Sequence, residues 1–277
     1  MNRVLATVQN IVEVRPGYWR MILIAPQIAS PARAGHFVHV LPHAPKNETS
    51  SFDPLLRRAF SVLSSHGENE IEILFRVEGR GTRLLSGFTT GDIVDLLGPL
   101  GVPFVTAPEN AILVGGGVGV PPMVMLAAQE KREGRGENMQ MILGARTAQD
   151  IICENDFEQC GVPVHIATDD GSVGQRGRVT DVLEPMLASR ADMSTHNTVV
   201  YACGPLPMLR AVAALCERFG VRCQVSLEEA MPCGVGVCNG CVVPVREAKD
   251  DFGAYRRICV EGPVAWSDEI DWTRLTH

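Results

Sequence analysis

Near the middle of the chain the sequence reads Ala111-Ile-Leu-Val-Gly115-Gly-Gly-Val-Gly-Val-Pro121-Pro122. The apolar run predicts a buried strand, and the prolines suit the first turn of a helix, where no backbone N–H is required. Glycines at such a turn let a pyrophosphate approach the backbone. The stretch departs from the G-x-G-x-x-G fingerprint, because Val120 or Pro122 occupies the third glycine position. It therefore predicts a nucleotide-binding turn, with an ordinary tight turn as the alternative.

Strands and helices alternate around this stretch, from about residue 110 to 220. The predicted strands are 111–114, 139–143, 162–167 and 198–202, and the predicted helices are 121–131, 181–188 and 207–219. Such alternation gives a mainly parallel, doubly wound sheet with ligands at the carboxyl ends of its strands. Asp169 and Gly204 follow two of these strands, so both are candidates for the crevice of the glycine turn. An ordinary turn is the alternative at each position.

The first 106 residues have a different rhythm, in which short alternating apolar runs are broken by Gly and Pro. The predicted strands are 18–24, 36–41, 59–63, 71–77 and 92–97, with one helical stretch at 82–88. Many short strands with turns between them predict an antiparallel sandwich or barrel.

Two stretches of this first part carry cations beside small or hydroxyl residues. They read Arg58-Ala-Phe60-Ser61 and Arg76-Val-Glu-Gly79-Arg-Gly81-Thr82. A glycine turn that opens a helix is a second candidate anion site. Two such sites suggest two nucleotides, one of which could be a flavin, whereas solvated strand faces are the alternative.

The C-terminal part reads Cys233-Gly-Val-Gly-Val-Cys238-Asn-Gly-Cys241, and Cys259 follows. The spacing C-x4-C-x2-C…C is the plant-type pattern for a [2Fe–2S] cluster. A structural zinc site is the alternative, although zinc sites favour two short C-x2-C pairs. Residues 221–277 contain few apolar side chains, so we expect the metal centre to organise them.

The bulk composition excludes several classes of protein. A net charge of −7 without a Lys/Arg-rich run argues against nucleic acid as a partner. No apolar run is long enough to span a membrane, and the first residues lack the apolar block of a signal peptide. Five further cysteines show no framework spacing, which predicts a reducing, cytoplasmic location. No Ser/His/Asp or Cys/His arrangement stands out, so no catalytic residue is assigned.

Taken together, these motifs resemble the ferredoxin–NADP reductase superfamily. Within it they resemble the electron-transfer subunits of type B dihydroorotate dehydrogenase. The resemblance runs from about residue 5 to 266, and its most specific part is Glu228-Glu-Ala-Met231-Pro-Cys233 together with the cysteines that follow. Two positions depart from the family pattern, since Ala59 stands where Pro is common and His36 where Gln is frequent.

The resemblance implies an α/β multi-domain protein. Its parts are an FAD-binding antiparallel β-barrel (1–106), an NAD-binding doubly wound α/β domain (107–220) and a small [2Fe–2S] domain (221–277). The implied FAD contacts are Arg58, Ala59, Phe60, Ser61, Leu74, Phe75, Arg76, Gly81 and Thr82. The implied NAD contacts are Gly115, Gly116, Gly117, Gly119, Asp169, Cys203 and Gly204. The implied iron ligands are Cys233, Cys238, Cys241 and Cys259.

The resemblance also implies a role in pyrimidine biosynthesis. NADH would reduce FAD, and the cluster would serve the FMN of a dihydroorotate dehydrogenase catalytic subunit within a heterotetramer. Pyrimidine chemistry would belong to that partner. Two alternatives remain, a reductase with another client (sulfide dehydrogenase or ferredoxin-dependent transhydrogenase) and a zinc-stabilised nucleotide sensor. The family favours NADH, whereas the sequence alone leaves NADPH open, since Arg146 could meet a 2′-phosphate.

Overall fold

The computed structural model describes residues 1–42, 53–106, 110–189, 198–247 and 253–275. Its N-terminal part is a closed antiparallel barrel with the strand order β1-β2-β5-β4-β3-β6, which confirms the predicted barrel. The strands are β1 Asn2–Arg15, β2 Tyr18–Ile24, β3 Phe37–Leu41, β4 Arg58–His66, β5 Glu70–Arg76 and β6 Ile93–Leu100. Two short helices accompany them, α1 Pro26–Ala29 and α2 Arg80–Leu85.

Strand β3 is buried on both faces, which is unusual for a barrel strand with solvent outside. Val38 and Val40 point into the barrel core. On the outer face, Phe37 joins the core of the C-terminal part, and His39 has no exposed surface. Because successive side chains of a strand point to opposite faces, alternate residues of β3 belong to two different cores.

The second part is a seven-stranded sheet with the order β10-β9-β8-β7-β11-β12-β15. Its strands are β7 Asn110–Gly116, β8 Met139–Ala145, β9 Val164–Thr168, β10 Gln175–Arg176, β11 Thr198–Cys203, β12 Arg222–Ser226 and β15 Val264–Trp266. The first six are parallel to their neighbours, and β15 pairs antiparallel with β12. This confirms the doubly wound sheet.

Helices cover both faces of the sheet. They are α3 Pro121–Arg132, α4 Glu154–Gln159, α5 Val179–Ala188 and α6 Leu206–Arg218. Helix α3 packs against barrel strand β4, while α5 and α6 pack against each other on the opposite face. The barrel therefore sits against one face of the sheet, close to the glycine turn that begins α3.

The C-terminal part is small and contains β13 Val242–Pro244, β14 Tyr255–Arg257 and α7 Ile258–Glu261. Strands β13 and β14 form an antiparallel pair. Strands β12 and β15 lie within residues 221–277 yet belong to the large sheet, so the sheet anchors this part at both ends. The division at residues 106 and 220 stays a prediction. In the described part of the chain, no helix has the length and apolar character needed to cross a membrane.

Candidate functional site

The first candidate site is a cavity of about 380 Å³ at the carboxyl edge of the sheet, which we call the sheet-edge cavity. Gly116 and Gly117 of the glycine turn line it, together with Asp169 after β9. Arg146 and Arg178 add positive charge to the same wall. The structure therefore brings three of the residues predicted for NAD into one cavity, as the carboxyl ends of parallel strands require.

The remaining predicted NAD residues lie close by, because β7 and β11 pair directly with Cys203 opposite Gly115. A Cβ on Gly119 would lie 2.5 Å from the backbone of Cys203 and Gly204, so only glycine allows this approach. Gly115 and Gly204 line neither this cavity nor the one described next. Both are closely packed, since a Cβ on Gly115 would lie 2.8 Å from Met141 and one on Gly204 would lie 3.2 Å from the backbone of Gly116.

The second candidate site is a cavity of about 330 Å³ between the barrel and the sheet, which we call the barrel cavity. All nine residues predicted for FAD line it, namely Arg58, Ala59, Phe60, Ser61, Leu74, Phe75, Arg76, Gly81 and Thr82. Gly119 and Cys203 line its other side. Arg76 lines both cavities and also lies 5.5 Å from the ring of Tyr18. The two cavities are thus neighbours that share a wall.

The barrel cavity combines a cationic end with an apolar end. A Cβ on Gly81 would lie 3.0 Å from Nε of Arg58, so the absent side chain keeps this guanidinium against the turn. The rings of Phe60 and Phe75 pack with centroids 5.7 Å apart. Thr82 Oγ1 accepts hydrogen bonds from the backbone N–H groups of Glu78 and Gly79, at 3.0 and 3.2 Å, which fixes the turn.

Glu228 is a lining residue of the barrel cavity to which the sequence assigned no role. Burial raises the pKa of its carboxyl, and the neighbouring Glu78 and Glu229 raise it further. Cys203 lies on the same wall, and burial raises the pKa of its thiol to about 12 although Ser226 lowers it. Glu228 opens the stretch Glu228-Glu-Ala-Met231-Pro-Cys233, and a carboxyl in this family motif was the signal that could have identified it as a site residue.

The third candidate site is the cysteine segment, by which we mean residues 231–247 and 253–259. Its four predicted iron ligands form two thiol pairs, Cys233 with Cys238 and Cys241 with Cys259, in hydrogen-bonding proximity. The pairing of β13 with β14 creates the second pair, because Val242 lies opposite Arg257 and the N–H of Ile258 donates to Cys241. Among the described residues, no three His, Cys, Asp or Glu side chains surround a single metal position.

Backbone N–H groups of the cysteine segment point at its sulfurs. Gly236 N–H donates to Cys259 Sγ at 3.2 Å, and the N–H groups of Val235 and Cys238 donate to Cys233 Sγ at 3.5 Å. Burial raises the pKa of the Cys233 thiol, but these donors outweigh it and bring the pKa down to about 6. Such donors stabilise thiolate, which is the form that binds a metal.

The two thiol pairs differ in exposure. Cys241 and Cys259 are 2% and 0% exposed, whereas Cys238 is exposed and its neighbour Val237 is 77% exposed. Arg257 supports the exposed loop by donating to the carbonyl of Gly236 at 3.2 Å. One pair therefore faces the interior and the other approaches the surface.

His39 lies behind the cysteine segment, on the outer face of β3. Burial lowers the pKa of its imidazole to about 4, and Arg57 lowers it further, so the ring is neutral at pH 7. A Cβ on Gly234 would lie 2.4 to 2.8 Å from Cε1, Nδ1 and Nε2 of this ring.

Two family models match the chain. One is described as the iron-sulfur cluster binding domain of dihydroorotate dehydrogenase B and matches residues 228–271. The other is described as an oxidoreductase NAD-binding domain and matches residues 113–214. The chain is similar to the dihydroorotate dehydrogenase B (NAD(+)) electron transfer subunit of Bacillus caldolyticus, at 44% identity over 242 residues, 85% of this chain and 86% of that one. It is 42% identical over 258 residues to the corresponding subunit of Geobacillus thermodenitrificans, covering 91% and 92% of the two chains.

Among solved structures, the chain is similar to that of the NADH-dependent reduced ferredoxin-NADP oxidoreductase, which was described for its insights into flavin-based electron bifurcation. The TM-score is 0.80 at 28% identity, over 98% of this chain and 91% of that one.

Barrel, sheet and cysteine segment together define an NAD-linked oxidoreductase with a ferredoxin–NADP reductase-like fold. The chain belongs to the family of electron transfer subunits of dihydroorotate dehydrogenase B. An iron–sulfur cluster-binding domain and an NAD-binding domain are part of it, and its role implies a catalytic subunit as partner.

Proposed function

We propose that this chain holds FAD in the barrel cavity and a [2Fe–2S] cluster in the cysteine segment. In this way it exchanges electrons between NAD(H) and the FMN of a dihydroorotate dehydrogenase catalytic subunit. The observation that carries the proposal is the convergence of all nine predicted FAD residues on one cavity. Gly119 and Cys203 from the NAD side, and Met231 from the start of the cysteine segment, line the same cavity. Electron exchange requires such proximity.

When bound, FAD supplies hydride acceptance with stepwise electron release, and the cluster supplies a one-electron carrier. The chain itself holds and orients these groups. Arg58, held at the Gly81 turn, provides a cation for a phosphate. Phe60 and Phe75 provide an apolar wall for a flat ring system, and Ser61 provides a hydroxyl on the same strand. This donor set fits FAD.

The cysteine segment fits a two-iron cluster better than a single zinc ion. A zinc site favours two short C-x2-C pairs, whereas three of these ligands follow the plant-type spacing C-x4-C-x2-C. In the structure Cys233 lies beside Cys238, and Cys241 lies beside Cys259. Each iron of a [2Fe–2S] centre takes two protein ligands, as the replacement of one pair by histidines in Rieske centres shows. Cys233 with Cys238 would hold one iron, and Cys241 with Cys259 the other.

The sheet-edge cavity favours NADH over NADPH. Asp169 lines it, and a 2′-phosphate there would add like charge beside a carboxylate. Arg146, one of the cations that line the cavity, lies 3.6 Å from Asp150 and is partly neutralised by it. We therefore assign the loops at 115–119 and 203–204, with Asp169, to NAD(H).

The partner side of the molecule is the exposed tip of the cysteine segment. Val237 is 77% exposed beside Cys238, so an apolar side chain projects where the outer thiol pair approaches the surface. We assign this tip to the catalytic subunit, within a heterotetramer of two subunit types. The five cysteines outside the segment are free thiols, which supports a cytoplasmic location.

The test compares Cys238→Ser with Cys160→Ser, a half-buried free thiol outside the three candidate sites. Both variants and the wild type are prepared without oxygen, assayed for FAD, iron and labile sulfide, and mixed with NADH and then with the catalytic subunit. Cys238→Ser should lose at least a hundredfold in electron delivery to the partner, while NADH still bleaches its flavin.

Cys160→Ser should behave as the wild type in both steps. The proposal fails if flavin reduction and delivery fall together in a folded, flavin-loaded Cys238→Ser protein. It also fails if the wild type binds zinc at these thiols or carries no flavin.

A further inference from the structure

His39 is a buried polar side chain without a partner. Its ring has no exposed surface, and it packs edge-on against Phe37 with centroids 5.7 Å apart. In the described part of the chain, its Nδ1 and Nε2 are the only buried side-chain nitrogen or oxygen atoms that make no hydrogen bond. A neutral imidazole carries one N–H donor and one acceptor. Leaving both unused in a dry interior is destabilising, so such a group calls for a specific explanation.

The position of His39 is the junction of two candidate sites. On one side its cross-strand partner in β4 is Ala59, which lines the barrel cavity. On the other side the ring edge that carries both nitrogens faces Gly234, next to the predicted ligand Cys233. Gly234 has a φ of +70° and no Cβ, and a Cβ there would overlap the ring. The loop is therefore built to let this edge approach its backbone.

Neither Cys233 nor another described sulfur accepts from the ring, since no such hydrogen bond forms. The sulfurs that the polypeptide does not supply are the inorganic sulfides of the proposed cluster. The orientation toward Gly234, rather than toward the barrel cavity, selects the cluster over the flavin as the source of the acceptor.

Resting on the proposed function, we infer that His39 donates a ring N–H hydrogen bond to a sulfur of the cluster and is a positioning residue for it. Hydrogen bonds to cluster sulfurs stabilise the more negative, reduced state and raise the reduction potential. His39 therefore links the outer face of the flavin-binding barrel to the cluster and sets how readily the cluster accepts an electron.

The test uses the full chain, prepared without oxygen, with ¹⁵N in histidine only. Pulsed EPR of the reduced cluster should show a ¹⁵N coupling in the wild type. His39→Leu has a similar volume without a donor and should lose the coupling. The control is His36→Leu, because the Nδ1 of His36 already accepts from the N–H of Arg33 at 3.0 Å. It should keep the coupling.

Redox titration of the same samples gives a second readout. His39→Leu should lower the equilibrium constant for reduction of the cluster about tenfold. This corresponds to a fall of about 59 mV in the reduction potential of a one-electron couple. His39→Gln, which keeps an amide N–H, should recover part of this shift. The flavin potential should stay unchanged in all variants.

A wild-type cluster with full iron and sulfide but no ¹⁵N coupling would overturn this inference alone, and it requires no variant to fold. A flavin shift in place of a cluster shift would assign His39 to the flavin and overturn it equally. Wild-type protein without iron and sulfide would overturn the proposed function and this inference together.

Discussion

At the scale of single residues, the candidate sites depend on glycines, which have no side chain, as much as on residues with functional side chains. Gly119, Gly81 and Gly234 each lie where a Cβ would meet another part of the molecule. These contacts join the glycine turn to β11, α2 to Arg58, and the cysteine segment to His39. The approach at Gly81 lies inside the barrel cavity, whereas those at Gly119 and Gly234 lie where one candidate site meets another.

Gly119→Ala provides the sharpest test of such a contact. Its Cβ would lie 2.5 Å from the backbone of Cys203 and Gly204, and backbone cannot rotate away as a side chain does. The two loops, which we propose bind NAD(H), must separate, so we expect NADH affinity to fall at least about tenfold and stability to fall by about 1–3 kcal/mol. Calorimetric titration and thermal unfolding measure both.

The control for that substitution is Gly136→Ala, where the added Cβ makes only ordinary contacts, 3.5 Å or more from its neighbours. It should bind NADH as the wild type does. Equal affinities for the wild type and Gly119→Ala would mean that the loops of residues 115–119 and 203–204 do not form the dinucleotide site.

At the scale of elements, Arg20 connects the barrel to the α/β part. Its guanidinium donates to both carboxylate oxygens of Glu72 on β5, at 2.6 and 3.0 Å, and to both of Asp156 on α4, at 3.0 Å. The side chain of Glu72 is only 5% exposed. This two-sided ion pair joins β2 and β5 of the barrel to α4 of the α/β part.

Arg20→Leu should therefore destabilise the protein strongly, because it removes the guanidinium that two partly buried carboxylates share. The expected loss in the free energy of unfolding is about 3–5 kcal/mol, measured by urea denaturation of the flavin-loaded chain. Arg218→Leu removes a pair with Glu184 in which both side chains are half exposed, so it should cost under about 1 kcal/mol. Similar losses in the two variants would contradict a special role for Arg20.

The same element contact predicts an acid dependence. Burial alone would raise the pKa of Glu72, but hydrogen bonds from His66 and Arg20 outweigh it and lower the pKa from 4.5 to about 2. Because this pKa is depressed, the stability that the Glu72 carboxylate contributes is fully present above pH 4.5. It is lost as the pH falls toward 2. Glu72→Gln should therefore show a flatter loss of stability than the wild type between these pH values. Parallel urea midpoints for the two proteins across that range would refute this.

Much of the element level was predictable from the sequence, because strand and helix periodicity is local. The strand at 18–24 and the glycine turn were placed correctly, and the nine residues predicted for FAD line one cavity. Helix α4 was missed, since it has six residues and only Phe157 is buried. The Arg20–Asp156 pair and the contact of His39 with Gly234 were not predictable, because each joins residues far apart in sequence and has no periodic signal.

At the scale of the whole molecule, the three parts are arranged around the barrel cavity. The barrel supplies one wall and the loops around Gly119 and Cys203 supply a second. The segment from Ser226 to Met231 leads from the cavity to the cysteines. The sheet anchors the cysteine segment at both ends through β12 and β15. Such an arrangement keeps the sheet-edge cavity, the barrel cavity and the exposed thiol pair in a fixed order, as the proposed electron transfer requires.

The most direct measurement of the central claim is EPR of the chain alone, purified without oxygen and treated with NADH. The account predicts bleaching of the flavin together with the signal of a reduced two-iron cluster, approaching one unpaired spin per chain. Flavin bleaching without any cluster signal at full iron and sulfide content, or zinc at the four cysteines, would contradict it.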